Sequence, residues 1–145
     1  MKYDTLTTHT AHINSDTTSF GYKLHTLRSE KLISKKEIMT LLNVSKSTVS
    51  RYEAGQTYPS IEEINILAKY MNIAPERLYD DYIYLIIHFK DEVKALREQL
   101  SLSRSQFAKL LNIHAANTIR EWEIGKHLPN TSIIKKILQL KKSPR

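Results

Sequence analysis

The side chains in this sequence most able to do chemistry are its cations. Twenty-two lysines and arginines stand against 15 aspartates and glutamates, which leaves a formal net charge of +7 at pH 7. Such an excess attracts polyanions, so the expected partner is a nucleic acid or an anionic membrane surface. Net charge does not choose between the two, and the choice depends on the elements that carry the cations.

Other chemistries find little support in the sequence. Cysteine is absent, which excludes disulfides, thiolate zinc sites and cysteine nucleophiles. The three glycines, Gly21, Gly55 and Gly125, are too scattered for a phosphate-binding loop. His9 and His12 are three residues apart but lack a third ligand, and no pattern pairs a nucleophile with a base. We therefore expect a protein that is not an enzyme and that binds neither a metal nor a cofactor.

The longest apolar run, residues 82–89, is interrupted by a histidine. It is far shorter than the roughly 18 apolar residues that a membrane span needs, and the N-terminus has no apolar core. We expect a soluble, cytoplasmic protein without a membrane partner.

Residues 1–19 contain six threonines and almost no aliphatic side chains. They cannot bury enough apolar area to offset the entropy of ordering, so we expect a mobile arm. Two alternatives stay open. The alternation of Tyr3, Thr5 and Thr7 would suit an added strand, and some N-terminal arms enter a DNA minor groove, although Lys2 is the only cation available here.

The rest of the chain repeats itself. The Leu-Leu-Asn of residues 41–43 recurs at 110–112, an offset of 69, and the offset becomes 70 from Thr48 and Thr118 onward. One residue has therefore been inserted between Ile113 and Thr118. Self-similarity at such a distance indicates two copies of one structural unit.

Helix-capping signals divide both copies in the same way. Ser34 and Ser103 each precede a Glu or Gln at the third helical position, which predicts a capping box at the start of a short helix. Asn43 and Asn112 should end that helix in a left-handed turn. Ser45 is the expected cap of the next helix, and Asn117 is its likeliest counterpart in the second copy. Gly55 and Gly125 follow that helix, Pro59 and Pro129 keep the loop from resuming it, and Ser60 caps a fourth helix through about Asn72.

Helix, short turn, helix and a glycine exit describe a helix-turn-helix unit. Residues 24–79 and 93–140 resemble the Cro/CI-type (XRE-like) family, most clearly in SKKEIMTLLNVSKSTVSRYEAG and SRSQFAKLLN with TIREWEIG. The resemblance implies an all-α fold of two tandem five-helix-type domains that form an internal pseudo-dimer. It also suggests the TraN-type regulators of Gram-positive conjugative plasmids, with phage and plasmid repressors close behind.

The resemblance implies that the second helix of each motif enters a major groove. The positions that match base contacts are Lys46, Ser47, Thr48 and Arg51 in the first copy and Asn117, Thr118, Arg120 and Glu121 in the second. Those that match phosphate contacts are Ser34, Lys35, Ser45, Thr57, Tyr58, Ser103, Arg104, Lys126, His127 and Asn130. Lys and Arg favour guanine, Asn favours adenine, and Glu can accept only from cytosine or hold a neighbouring arginine. The two copies should therefore read different half-sites.

The same resemblance assigns two charged pairs to the scaffold, Arg28 with Glu53 and Arg97 with Glu123, because truncating one partner would strand the other charge. Tyr52 and Trp122 lie three residues after Val49 and Ile119 on one helical face, so both are expected in the core.

The expected domains are residues 20–80 and 93–145, joined by an apolar connecting segment at 81–92. That segment either begins a long helix through Val93 and Leu100 or forms a short buried strand. We expect it to pack the two copies together, so that one chain binds duplex DNA as a monomer, although a homodimer stays possible.

The function that follows is a sequence-specific duplex-DNA-binding regulator, and a repressor in particular, of a conjugative transfer operon or near a transfer origin if the narrower resemblance holds. The alternative is that one copy binds DNA while the other binds a protein such as a toxin or nuclease. Its support is the inserted tract His114–Asn117 and the acidic Glu121 in the place of Arg51.

Overall fold

The structure, a computed structural model, describes residues 16–142. Over that range the chain forms nine α-helices and one 3-10 turn, with no strand. It divides into two compact units, the first ending at Asp80 and the second beginning at Asp81. The predicted all-α class and its tandem helical units are confirmed, and the internal pseudo-dimer stays a prediction.

The first unit contains four helices and the 3-10 turn. Its elements are α1 (Phe20–Glu30), α2 (Lys35–Leu42), α3 (Lys46–Ala54), α4 (Ile61–Met71) and the turn Pro75–Leu78. They enclose a core of aliphatic and aromatic side chains that are less than about a tenth exposed, among them Phe20, Leu24, Ile38, Val49, Ile64, Leu67 and Leu78. Helix α3 packs against both α1 and α2, so the core side of α3 is covered and its other side faces outward.

A serine begins each α-helix of this unit. The side chains of Ser19, Ser34, Ser45 and Ser60 accept a hydrogen bond from the backbone N–H three residues later, which satisfies one of the free donors of the first turn. Helices α2, α3 and α4 end at Asn43, Gly55 and Asn72, all in the left-handed conformation. Local sequence therefore sets the bounds of the helix-turn-helix, as the capping signals predicted.

Only the last residues of the predicted N-terminal arm are described. Ser19 is buried, and its N–H and hydroxyl both donate to the carbonyl oxygen of Asp16, at 3.0 Å and 2.7 Å. Residues 16–19 thus form the turn that leads into α1. The mobile-arm, added-strand and minor-groove interpretations, and the pair His9 and His12, concern residues outside the described range.

The second unit contains five helices, α5 (Asp81–Ile87), α6 (Phe89–Gln99), α7 (Arg104–Leu110), α8 (Ala116–Glu123) and α9 (Thr131–Lys142). Helix α8 packs against α6 and α7, as α3 packs against α1 and α2. Trp122 on α8 is 2% exposed and meets Phe89 edge-on, with ring centroids 5.8 Å apart. Tyr52, its counterpart in the first unit, is 5% exposed, so both aromatic residues are core residues as expected.

Residues 81–92 differ from both structural expectations. They form neither a strand nor the start of one continuous helix, because α5 and α6 are interrupted at His88, whose φ of −108° and ψ of 25° leave the helical range. Tyr82, Ile83 and Leu85 are buried, and α5 packs against α6 and α9. The segment expected to connect the two domains is therefore built into the second unit, where its apolar side chains complete that unit's core.

A close backbone approach holds α1 against α3. A β-carbon on Gly21 would lie 2.5 Å from the carbonyl oxygen of Glu53 and 2.8 Å from that of Tyr52. Only glycine permits this distance. Lys90 is the matching residue of the second unit, and its side chain reaches the loop just after α8 instead, with Cδ 3.2 Å from where a β-carbon on Gly125 would lie.

Candidate nucleic-acid interface

The exposed side of α3 carries the residues predicted to read bases in the first unit. Lys46, Ser47 and Arg51 are exposed and Thr48 is half-buried. The structure brings these four side chains together on one face of one helix.

The hydrogen bonds of the side chains on this face join residues within one helical turn, and their acceptors are uncharged hydroxyl groups. Ser45 Oγ accepts the N–H of Thr48 at 3.1 Å and lies 3.1 Å from Ser47 Oγ and 3.0 Å from Thr48 Oγ1. Arg51 donates to Thr48 Oγ1 at 3.4 Å. Among the described residues, neither Lys46 nor Arg51 forms an ion pair. The face therefore keeps two positive charges that no acidic side chain within residues 16–142 pairs with.

The start of α2 lies next to this face. Ser34 and Glu37 form the predicted capping box, in which Ser34 Oγ accepts from Glu37 N at 3.1 Å and Ser34 N donates to Glu37 Oε1 at 2.9 Å. Lys35 Nζ donates to Ser50 Oγ at 3.1 Å, which places its charge between α2 and α3. A helix N-terminus with an adjacent cation is a favourable place for a phosphate group.

The loop after α3 contains two residues that were predicted to contact phosphate, and their surroundings differ. Thr57 is exposed. Tyr58 is half-buried, its ring lies 5.9 Å from that of Phe20, and its hydroxyl donates to Asp80 Oδ2 at 2.6 Å. Asp80 also accepts from Phe20 N at 3.1 Å, so Tyr58 and the start of α1 are both bonded to the last residue of the first unit.

In each of the two charged pairs assigned to the scaffold, the arginine and the glutamate are in contact. Arg28 Nε donates to Glu53 Oε2 at 2.7 Å, and Arg97 Nε donates to Glu123 Oε2 at 2.6 Å. Each arginine also donates to a backbone carbonyl, Arg28 to Ile33 at 3.1 Å and Arg97 to Leu102 at 3.0 Å. These bonds join α1 to the end of α3 and α6 to the end of α8, and so orient the helix that is expected to meet DNA.

The second partner of each glutamate differs between the units. In the first unit His25 Nδ1 lies 3.4 Å from Glu53 Oε1. In the second, Arg104 donates to Glu123 Oε1 at 3.1 Å, so a residue predicted to contact phosphate also belongs to this buried cluster. Burial acts to raise the pKa of Glu123, but hydrogen bonds from Arg97 and Arg104 outweigh burial and hold the pKa below its ordinary value.

The start of α8 corrects one sequence prediction. The N-cap is Ala115, which has no side-chain hydrogen bond, and Asn117 lies inside the first turn instead of capping it. The tract at 114–115 is exposed. Helix α8 therefore begins without the serine cap that starts α3.

Glu121 gathers the polar residues of the α8 face. Its carboxylate lies 2.9 Å from His127 Nε2 and accepts from Lys126 Nζ and Asn117 Nδ2, both at 3.3 Å. The hydrogen bonds with His127 and then Lys126 hold the pKa of Glu121 below its ordinary value. Four residues predicted to contact DNA thus form one cluster around a carboxylate. The α3 face has no such centre.

The remaining predicted residues of the second unit are placed separately. Arg120 is exposed and forms no ion pair within the described residues, and Thr118 is half-buried. Asn130 Oδ1 accepts the N–H of Ile133 at 3.0 Å near the start of α9. Ser103 caps α7 in a box with Gln106, equivalent to the one that starts α2.

Charge is unevenly divided between the two units. Residues 1–80 contain 10 lysines and arginines and 9 aspartates and glutamates, a net +1, whereas residues 81–145 contain 12 and 6, a net +6. The second unit therefore supplies most of the attraction to a polyanion, even though its central helix carries the acidic Glu121.

Three features of the site escaped sequence reasoning. His25 beside Glu53 and Asp80 beside Tyr58 are contacts between distant positions, for which the sequence offers no signal. For the Glu121 cluster the sequence contains a weak signal. An acidic residue in a helix, followed by Lys126 and His127 just past the terminal glycine, allows the chain to fold back on the helix.

The described residues, 16–142, contain no group of three metal-ligating side chains. No helix among them is long and apolar enough to cross a bilayer.

Comparison with known proteins identifies both copies. The helix-turn-helix family HTH_3 matches residues 24–78 and 93–140. The HTH-type transcriptional activator BcrR of Enterococcus faecalis is 29% identical over 59 residues, which cover 41% of this chain and 29% of that protein. Antitoxin HigA-2 of Vibrio cholerae serotype O1 is 33% identical over 54 residues, 37% of this chain and 51% of that protein. The chain thus spans about half or less of either relative, and no solved structure matches it significantly.

Proposed function

The chain belongs to the helix-turn-helix family, and from that premise we propose that it is a sequence-specific, double-stranded-DNA-binding transcriptional regulator. The observation that carries the proposal is the exposed face of α3, where Lys46 and Arg51 lack any ion pair among the described residues and lie beside the capped start of α2. Cations without acidic partners gain the most from meeting phosphates and guanine acceptors.

In the proposed complex α3 and α8 are the recognition helices and enter successive major grooves. Lys46 and Arg51 favour guanine, while Ser47 and Thr48 discriminate weakly. Helix α8 presents Asn117, Thr118, Arg120 and Glu121 instead. Because the two sets differ in charge and in hydrogen-bonding capacity, the proposed operator is asymmetric or only pseudo-symmetric.

Phosphate contacts in this proposal come from the starts of α2, α3 and α7 and from the loops that follow the recognition helices. The residues concerned are Ser34, Lys35, Ser45, Thr57, Tyr58, Ser103, Arg104, Lys126, His127 and Asn130. Such contacts position the protein without specifying sequence. Replacing Lys35 by alanine should therefore weaken binding to all duplexes alike.

Repression is the mode of action we propose, because a protein seated in two adjacent grooves of a promoter would exclude the polymerase. The relative in Enterococcus faecalis is named an activator. A reporter gene driven by the footprinted promoter distinguishes repression from activation. Lower expression with the protein supports repression, and higher expression contradicts it. Control of a conjugative transfer operon is the narrower proposal, and footprints on DNA beside transfer genes would test it.

The experiment that tests the function is selection of duplexes from a random-sequence pool, followed by binding of the enriched site in 50 and 200 mM salt. With roughly six to ten phosphates contacted, affinity should fall by about 10³ to 10⁵ over that range. A flat salt response, or a selection that enriches no sequence, would contradict the proposal.

We also propose that one chain of 16.9 kDa occupies both half-sites as a monomer with an internal pseudo-two-fold. Light scattering of the complex should then give one chain per duplex, with a footprint over two successive major grooves. Two chains per duplex would support a homodimer instead.

A second candidate function is that the first unit binds DNA while the second binds a protein. The observation in its favour is the Glu121 cluster, which engages Asn117, Lys126 and His127 within the second unit. Replacing both Asn117 and Arg120 by alanine separates the candidates. Unchanged DNA affinity would favour the protein-binding unit, whereas weakened binding with altered sequence preference would favour two DNA-reading units.

A further inference from the structure

Glu121 in α8 occupies the place that Arg51 occupies in α3, at the offset of 70 that relates the two recognition helices. Both side chains stand on the side of the helix away from the core, because the residues two before, one after and two after them are buried: Val49, Tyr52 and Glu53 in α3, and Ile119, Trp122 and Glu123 in α8. The two units therefore present opposite charges at one equivalent point of their DNA-facing surfaces.

Three donors converge on the Glu121 carboxylate, whose side chain is still 21% exposed. His127 Nε2 lies at 2.9 Å, and Lys126 Nζ and Asn117 Nδ2 lie at 3.3 Å. Lys126 and Asn117 have further N–H groups for a duplex, but the single Nε2–H of His127 would have to leave Glu121 to bond to one. A duplex would also have to bring its own negative charge towards a carboxylate that hydrogen bonding keeps ionised.

This repulsion matters because the rest of the second unit is strongly basic. The second unit carries a net +6, so its attraction to any duplex is strong and indifferent to sequence. A carboxylate in a major groove is repelled by phosphates and by the O6 and N7 acceptors of guanine. The N4 amine of cytosine is the donor that suits it, because the N6 amine of adenine lies beside the N7 acceptor of the same base. Discrimination can arise from repulsion of wrong partners as well as from attraction of the right one.

We propose that Glu121 is a specificity-determining residue of the second unit, which weakens binding to duplexes that place acceptors against it and accepts a duplex that offers the N4 amine of cytosine. The inference rests on the proposed DNA-binding function and names the residue by which the more basic unit avoids indiscriminate binding.

Glu121→Gln in the full chain tests the inference, because glutamine keeps the shape and removes the charge. Against duplexes from the unselected random pool, the variant should bind about fivefold more tightly than wild type, the size expected for one exposed unit charge. Its salt dependence should steepen by about one phosphate equivalent, as Lys126 becomes free. In sites selected by wild type, the preference for cytosine at one position should fall by about 5- to 150-fold.

Glu98→Gln is the matched control. Glu98 is exposed on α6 of the same unit and forms no ion pair or side-chain hydrogen bond within residues 16–142. It attracts Arg97 only without direct contact, so its loss changes net charge equally but leaves the outward side chains of α8 untouched. It should alter affinity for the unselected pool by less than about twofold and leave base preference unchanged. Trp122 fluorescence, recorded for each variant, reports whether α8 remains folded.

The outcomes separate the inference from the function on which it rests. If wild type binds no duplex, the proposed function fails and the inference fails with it. If wild type selects sites but Glu121→Gln behaves like Glu98→Gln, only the inference is overturned, and the protein-binding candidate for the second unit gains. If Glu121→Gln weakens binding to all duplexes alike, Glu121 merely positions Lys126 and His127, which also overturns the inference.

Discussion

Replacing Arg97 by methionine should destabilise the second unit severely. The Glu123 side chain is 1% exposed, and Arg97 satisfies both of its oxygens at 2.6 and 3.1 Å. Methionine fills much of the arginine volume but leaves the carboxylate with Arg104 alone, whose side chain is 44% exposed. Breaking a buried pair in this way costs about 3–5 kcal/mol. A helical unit of this size has a total stability on the order of 5 kcal/mol, so the second unit should be largely unfolded.

The assay is chemical denaturation followed by the fluorescence of Trp122, the one tryptophan of the sequence, which lies in the second unit. Arg104→Met is the control, because it removes the exposed partner and keeps the buried pair. It should cost less than about 1 kcal/mol. The double variant Arg97→Met/Glu123→Leu should recover most of the lost stability, since it removes the stranded charge as well as its partner.

Two results would refute this reasoning. One is an equal loss of stability for Arg97→Met and Arg104→Met, which would mean that the bidentate pair is no more important than an exposed contact. The other is a double variant no more stable than Arg97→Met alone, which would mean that lost packing, and not the unpaired carboxylate, causes the destabilisation.

Three further predictions concern Glu123, Gly21 and Arg51. Acidification should destabilise the second unit. The folded-state pKa of Glu123 is below the ordinary 4.5, so its stabilising contribution is present above about pH 4.5 and is lost as pH falls through the lower folded value. Trp122 fluorescence across pH 2–6 would reveal the loss. Gly21→Ala should lower the thermal stability of the first unit by about 1–3 kcal/mol or more, because the new methyl group meets the Glu53 carbonyl at 2.5 Å; an unchanged melting curve by circular dichroism would contradict the close approach. Arg51→Ala should cost about 1–3 kcal/mol on the selected site and relax one base position, whereas Arg77→Ala, an exposed arginine of the same unit, should do neither; similar effects of both in a binding titration would argue against base reading by α3.

Features that depend on neighbouring residues were predictable from the sequence. Ser34 with Glu37 forms its capping box, and Asn43, Asn112 and Gly55 adopt the left-handed conformation expected at helix ends. Such signals act within one helical turn, so a repeated pattern of them is enough to locate the same elements twice.

Features that depend on tertiary packing were less predictable. The break at His88 has no glycine or proline to mark it, and burial of α5 against α9 decides the conformation of residues 81–92. Asn117 is a favourable cap by residue type, but its side chain contacts Glu121 instead. The hydroxyl of Tyr58 is engaged by Asp80, a contact that neither residue type implies on its own.

The two units keep one anchor in common and have diverged around it. The arginine–glutamate pair that holds α3 or α8 is equivalent, Arg28 with Glu53 in one unit and Arg97 with Glu123 in the other, and their bonds differ by about 0.1 Å. The residues that face outward differ in charge at Arg51 and Glu121. Equivalent anchoring keeps both helices in one geometry relative to their own unit, so a change in the outward side chains alters what is recognised without altering how the helix is presented. The two copies are therefore expected to use one way of approaching DNA for two different base sequences.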